Sequence, residues 1–165
     1  MKFNGRVLVC GSRDFGTKID ESGKRQLDPE SRSYRMEHII LDGLLSDWQS
    51  SHPGDFTVIE GEAMGADLIA ANWATKMMMQ DGHAVEVEHY PADWEKYGKG
   101  AGPVRNKQML TEGQPTLVLA FSNDFTASRG TNNMIQQATK AGVPVVKVEI
   151  PRMTTQVVPN KLFEE

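Results

Sequence analysis

The chain has 165 residues, 39% of them hydrophobic, and carries 18 Lys and Arg against 22 Asp and Glu for a formal charge of −4. That length fits one domain with enough apolar residues to cover both faces of a small sheet, and the acidic balance excludes a broad electrostatic surface for duplex DNA or anionic membrane. Any phosphate must be held locally. The single cysteine, Cys10, excludes an intrachain disulfide framework, and the lysine-bearing, short-apolar N-terminus resembles neither a signal peptide nor a membrane span, so a cytoplasmic setting is expected.

In chain order, Arg6 to Cys10 is an apolar, β-branched run that reads as a first strand, with Cys10 expected to pack in the core. Gly16 to Arg32 is charged and has too few apolar residues for a strand; residues 16–33 read as a loop insertion, either a lid or a solvated excursion. Asp28-Pro29-Glu30 has the residue order of an N-cap, a first helical residue and a dipole-favouring acid, so the next helix is expected to start there. Met36, Ile39, Ile40, Leu44 and Trp48 then recur at helical spacing.

A second strand, Phe56 to Glu60, is followed by a helix carrying Leu68, Ala71, Thr75 and Met78. Ala84 to His89, Thr116 to Phe121 and Pro144 to Glu149 complete five strands, with helices over Pro103 to Thr111 and Thr131 to Lys140. Alternation of strand and helix favours right-handed crossovers and an α/β, Rossmann-like three-layer sandwich, a parallel sheet of order 3-2-1-4-5 that binds ligands at its carboxyl ends. Residues 1–150 form the single domain. Residues 151–165 form a tail with Pro151 and Pro159 that either docks or stays disordered. Met77-Met78-Met79 suits a helix packed on the sheet or a contact in a homo-oligomer.

Four turns carry chemistry. Gly11-Ser12-Arg13 directly follows the first strand and combines close backbone approach with a hydroxyl and a guanidinium, which suits phosphate or carboxylate. After the second strand, the small residues in Gly61-Glu62-Ala63-Met64-Gly65-Ala66-Asp67 allow a helix N-terminus near a ligand, with Glu62 placed to accept a hydrogen bond from ribose. The third strand leads through Trp94 and Tyr97, either of which can stack on a base, to Arg105 and Asn106, forked donors for phosphate or a sugar edge. Gly130 and Thr131 at the last helix start form a further anion cradle, Thr131 being equally suited to an N-cap. In the order 3-2-1-4-5, the turns at Gly11 and Gly130 border one crevice.

Taken together, Gly11-Ser12-Arg13, Gly61-x-Ala63-x-Gly65-Ala66-Asp67, Pro91-Ala92-x-Trp94, Ala101-Gly102-x-x-Arg105-Asn106 and Gly130-Thr131 resemble the YspA-like, YpsA-related branch of the SLOG superfamily. The resemblance spans most of residues 7 to 149 and implies a Rossmann-like domain that senses or processes nucleotide-derived ligands. The superfamily also contains the lonely-guy phosphoribohydrolases, which cleave the N-glycosidic bond of nucleoside monophosphates and carry a P-G-G-x-G-T-x-x-E signature. Arg105 resembles their catalytic arginine. The signature here runs Thr126-Ala127-Ser128-Arg129-Gly130-Thr131-Asn132-Asn133-Met134, so Met134 stands where the glutamate would be, and a thioether is no general base. Hydrolysis would need Glu62, Asp67 or Asp93 as its carboxylate. DprA-like relatives bind single-stranded DNA, a third reading that the acidic balance disfavours.

His38, His52, His83 and His89 are scattered without metal-ligand spacing, and neither G-x-S-x-G nor a Walker A lysine motif is present. The expectation is therefore binding of a nucleoside phosphate or ADP-ribose-like ligand without a required cofactor, Mg²⁺ alongside phosphate remaining open. Arg13, Arg105 and the backbone near Gly130 take phosphate, Glu62 or Asp67 reads ribose, and Trp94 reads the base.

Overall fold

The computed structural model describes residues 5–31, 34–52, 54–81 and 84–152. Five parallel strands form the main sheet: β1 (Gly5–Gly11), β4 (Phe56–Glu60), β5 (Val85–His89), β6 (Leu117–Ser122) and β7 (Val145–Glu149), in the order β5-β4-β1-β6-β7. This is the 3-2-1-4-5 order read from the strand and helix alternation. The central strands β1, β4 and β6 are buried along most of their length, whereas β5 and β7 form half-exposed edges.

Alternation along β1 divides the core between two layers. Val7 and Val9 pack with Leu41 and Leu45 of α1 (Arg35–Ser51) and with Ile69, Ala70 and Trp73 of α2 (Ala66–Asp81). Leu8 and Cys10 face the other way, against Met109 of α4 (Ala101–Thr111) and Met134 and Ala138 of α5 (Arg129–Lys140). Burial pushes the Cys10 thiol up, so it stays a packing residue. The connections leaving β1 and β6 go to opposite layers, and the carboxyl ends of these neighbours therefore diverge around a crevice.

The segment 16–33, read as a loop without strands, contains an antiparallel hairpin of β2 (Thr17–Ile19) and β3 (Arg25–Leu27). Its stability comes from turn chemistry instead of alternating apolar residues. The Asp20 carboxylate accepts hydrogen bonds from the N–H groups of Ser22 and Lys24, each at 2.9 Å, and from the Ser22 hydroxyl at 2.6 Å. Gly23 supplies the left-handed backbone with φ 81°. The expected helix start also moves. Asp28 accepts from the N–H of Ser31 at 3.1 Å and pairs with Lys18 at 3.2 Å, while α1 begins only at Arg35, behind Tyr34.

A buried acid in the first turn of α1 anchors this region. The Glu37 carboxylate accepts hydrogen bonds from the Gly16 N–H, from Asn123 Nδ2 at 2.7 Å and from Arg152 Nε at 3.2 Å. It therefore ties the loop after β1 to the end of β6 and to the chain beyond β7. Arg152 also donates to the carbonyls of Asp14 and Thr17 and lies over the Tyr34 ring, so the start of the tail docks on the domain; Pro159 lies outside the described residues. Met77 packs against the core while Met78 and Met79 are exposed. No helix among the described residues is long and apolar enough to cross a membrane.

Candidate ligand-binding cleft

The crevice at the carboxyl ends of β1 and β6 is a cleft of about 730 Å³. It gathers Gly11, Ser12 and Arg13 after β1, Asp67 in the first turn of α2, Trp94, Arg105 and Asn106 from the β5–α4 region, and Gly130 and Thr131 from α5. Gly61 and Glu62 line an adjoining hollow of about 480 Å³. Of the predicted site residues, Asp93 and Tyr97 line neither space, and nor does Gly65. Its φ is 92°, and a Cβ there would collide with the Ser12 carbonyl, so Gly65 lets α2 approach the loop carrying Ser12 and Arg13.

The N-terminus of α5 is open. Its first intrahelical bond runs from the Asn132 N–H to the Ser128 carbonyl at 2.9 Å, leaving the N–H groups of Gly130 and Thr131 ahead of it without helical acceptors. Ser128, the N-cap, places its hydroxyl against Ser122 Oγ at 2.6 Å and the Asp124 carbonyl at 2.9 Å, and so gives no side-chain cap. Such a terminus has donors and a positive dipole end directed at one place. A Cβ on Gly130 would meet nothing within 4 Å, so the space above that turn is clear.

The turn that leads into α2 is closed by the helix's own acid. Asp67 Oδ2 accepts hydrogen bonds from the N–H of Gly61 at 2.9 Å and from that of Ala63 at 3.4 Å. The Glu62 N–H between them donates to Glu60 Oε2 at 2.7 Å, with Glu62 held at φ 54°. A carboxylate thus occupies the place an anionic ligand would take. Burial is the main cause that pushes the Asp67 carboxyl up to about 7; Arg105 opposes that shift and Glu60 adds to it. Burial likewise raises Glu60, whose other oxygen pairs with His89.

Arg105 and Asn106 hold turns together. The Arg105 guanidinium donates to the Gly61 carbonyl, and its Nε donates to Asn106 Oδ1 at 3.2 Å. Asn106, buried, donates from Nδ2 to the Gly130 carbonyl at 3.2 Å and to Asn133 Oδ1 at 3.1 Å. These two side chains bridge the α2 turn to the α5 turn across the mouth of the cleft. Arg105 lines both spaces.

The remaining cations are free or exchangeable. The guanidiniums of Arg13 and Arg129 enter no hydrogen bond or ion pair among the described residues; that of Arg13 sits 5.9 Å from the centre of the Trp94 ring, which is 52% exposed. Arg25 reaches the cleft from the hairpin, ion-paired to Asp14 and donating to Thr17 Oγ1 at 3.0 Å. Sequence reasoning missed Arg25 and Arg129. Arg25 comes from a segment with no strand signal, whereas Arg129 stands beside Gly130 in an already quoted motif. Ser12 Oγ and Asn123 Oδ1, both on cleft residues, are buried without a hydrogen-bond partner among the described residues, an arrangement that suits a polar occupant.

Of the three carboxylates named for hydrolysis, Asp67 lines the cleft, Glu62 opens to the hollow, and Asp93 caps α3 (Trp94–Tyr97) by accepting from the Lys96 N–H at 2.8 Å. Met134 is fully buried in the core beneath α5. Among the described histidines, His38 faces the Gly16 carbonyl, His52 stacks on Trp48 and His89 pairs with Glu60, while His83 lies outside the described residues. No group of three or more potential metal ligands is gathered among the described residues.

Comparison with known proteins places this geometry in a family context. The YspA, cpYpsA-related SLOG family matches residues 5–97, from β1 through the end of α3. The Gene 61 protein of Mycobacterium phage D29 is 38% identical over 123 residues, covering 74% of this chain and 94% of that protein. No solved structure matches the chain.

Proposed function

The chain belongs to the YspA, cpYpsA-related SLOG family, and from that membership and the cleft we propose that it binds a nucleotide-derived ligand at the carboxyl ends of β1 and β6. The observation that carries this reading is the uncapped N-terminus of α5 sharing one cleft with Arg13 and Arg129. Backbone N–H groups of Gly130 and Thr131 take the phosphate from the α5 side. The guanidiniums of Arg13 and Arg25 approach from the β1 side, with Arg25 exchanging Asp14 for the ligand. Trp94, broadly exposed, offers a stacking face that tolerates any base.

Binding is favoured over hydrolysis by the packing of Met134. It is a core residue, and Asp67, which of Glu62, Asp67 and Asp93 is the one lining the main cleft, already closes the α2 turn with one oxygen. Calorimetric titration with nucleoside mono- and diphosphates tests the reading, with inorganic phosphate as reference. Saturable binding weakened about tenfold or more in Arg13→Gln is expected, one tenfold step being about 1.4 kcal/mol. Failure of every nucleotide to bind the folded protein more tightly than phosphate would overturn it.

A further inference from the structure

The two spaces are chambers of one site. The main cleft and the adjoining hollow share Arg13, Arg25, Ala63, Trp94 and Arg105, so three guanidiniums and one indole form the ridge between them. At about 730 and 480 Å³, each lies within the roughly 300–1,000 Å³ typical of small-molecule sites. A mononucleotide with its phosphate on α5 and its base against Trp94 leaves the hollow empty.

The lining of the hollow states what it would accept. Beyond the shared ridge it consists of Gly61, Glu62, Met64, Pro91 and Ala92, with no further cation. The Glu62 carboxylate, half exposed and held in place by the left-handed backbone of its turn, would repel a second anionic group and accept hydrogen bonds from hydroxyls. Met64, Pro91 and Ala92 give the rest an apolar floor for a ring. This chemistry matches an uncharged, hydroxyl-bearing head. The arginines, by contrast, lie where a negative linkage would pass from one chamber to the other.

Resting on the nucleotide-binding reading, we propose that the ligand is two-headed: a nucleoside diphosphate whose second phosphate carries a polyhydroxylated head. The nucleoside and diphosphate occupy the main cleft between α5 and the arginine ridge, and the second head passes between Arg13 and Trp94 into the hollow, its hydroxyls on Glu62. Arg25 is the residue through which the hairpin contributes to specificity, since it lines both chambers.

The test is the affinity ratio within matched pairs, ADP against ADP-ribose and GDP against GDP-mannose, measured by calorimetry on the full chain. At least a tenfold gain from the second head is expected in one series or both. Ala92→Trp, which fills the hollow, should bring that ratio to about one, and Glu62→Gln should reduce it; thermal melts confirm that each variant is folded. Diphosphates that bind while the second head adds no more than twofold in either series would overturn this inference and leave the nucleotide reading standing. A gain that survives Ala92→Trp would place the second head elsewhere and also overturn it. Absence of binding by every nucleotide would overturn both.

Discussion

Two helices begin at the same edge of the sheet, after glycine-containing turns on the strands that flank β1, and the backbone donors at the two turns are used differently. At α2 the donors of Gly61 and Ala63 are taken by Asp67, the acid of the helix's own first turn. At α5 the donors of Gly130 and Thr131 precede the first helical bond, and the N-cap hydroxyl is directed at Ser122 and Asp124. A glycine-rich strand-to-helix turn is therefore not by itself an anion site. What matters is whether an internal carboxylate already sits on its N–H groups: the Asp67 turn is filled from within, and the Gly130 turn is the one we propose for ligand contact.

The largest effect expected from breaking this contrast is on Asp67. Asp67→Ala leaves the Gly61 and Ala63 donors without their acceptor in a buried turn, and should destabilise the fold by about 3 kcal/mol, lowering Tm by roughly 6–12 °C. Asp67→Asn keeps an acceptor oxygen and should retain most of the stability at neutral pH. The pH dependence has a definite sign. Because the folded state raises this carboxyl from 3.8 to about 7, the folded chain holds a proton that the unfolded chain has lost. The contribution is present below 3.8 and is lost as pH rises towards and through 7. Denaturant melts between pH 4 and 8 should show this decline in the native chain and a flatter profile in Asp67→Asn; an unchanged slope would remove Asp67 from the account.

A smaller effect sharpens the other half of the comparison. Gly130→Ala places a methyl group in clear space within a helical turn, so stability should rise by roughly 0.5 kcal/mol through the better helix propensity of alanine. The same methyl stands where a phosphate would approach the backbone. Nucleotide affinity should fall about tenfold, or about 1.4 kcal/mol. Loss of binding with a gain in stability separates a ligand-facing glycine from a structural one such as Gly65.

The sequence made the sheet legible because its strands are short apolar runs of the kind buried parallel sheets require, spaced by helical periods. The order of strands followed from connection rules, and with it the meeting of the turns at Gly11 and Gly130. The hairpin Thr17–Leu27 was not legible: its signal is polar, in Asp20, Ser22 and Gly23, and two three-residue strands have no useful periodicity. That omission hid Arg25. The inward role of Asn106, the packing role of Gly65 and the clamp at Glu37 were hidden for another reason. Each rests on partners 21 to 115 residues away, such as Gly130 for Asn106 and Arg152 for Glu37, and local pattern carries no information about them.

The most direct measurement is a crystal structure of the full chain soaked with ADP. The phosphates should lie within hydrogen-bond distance of the Gly130 and Thr131 N–H groups, with Asp67 still closing the Gly61 turn. Phosphates seated on the Gly61–Ala63 backbone with Asp67 displaced, or bound outside the cleft, would contradict the assignment of the two turns.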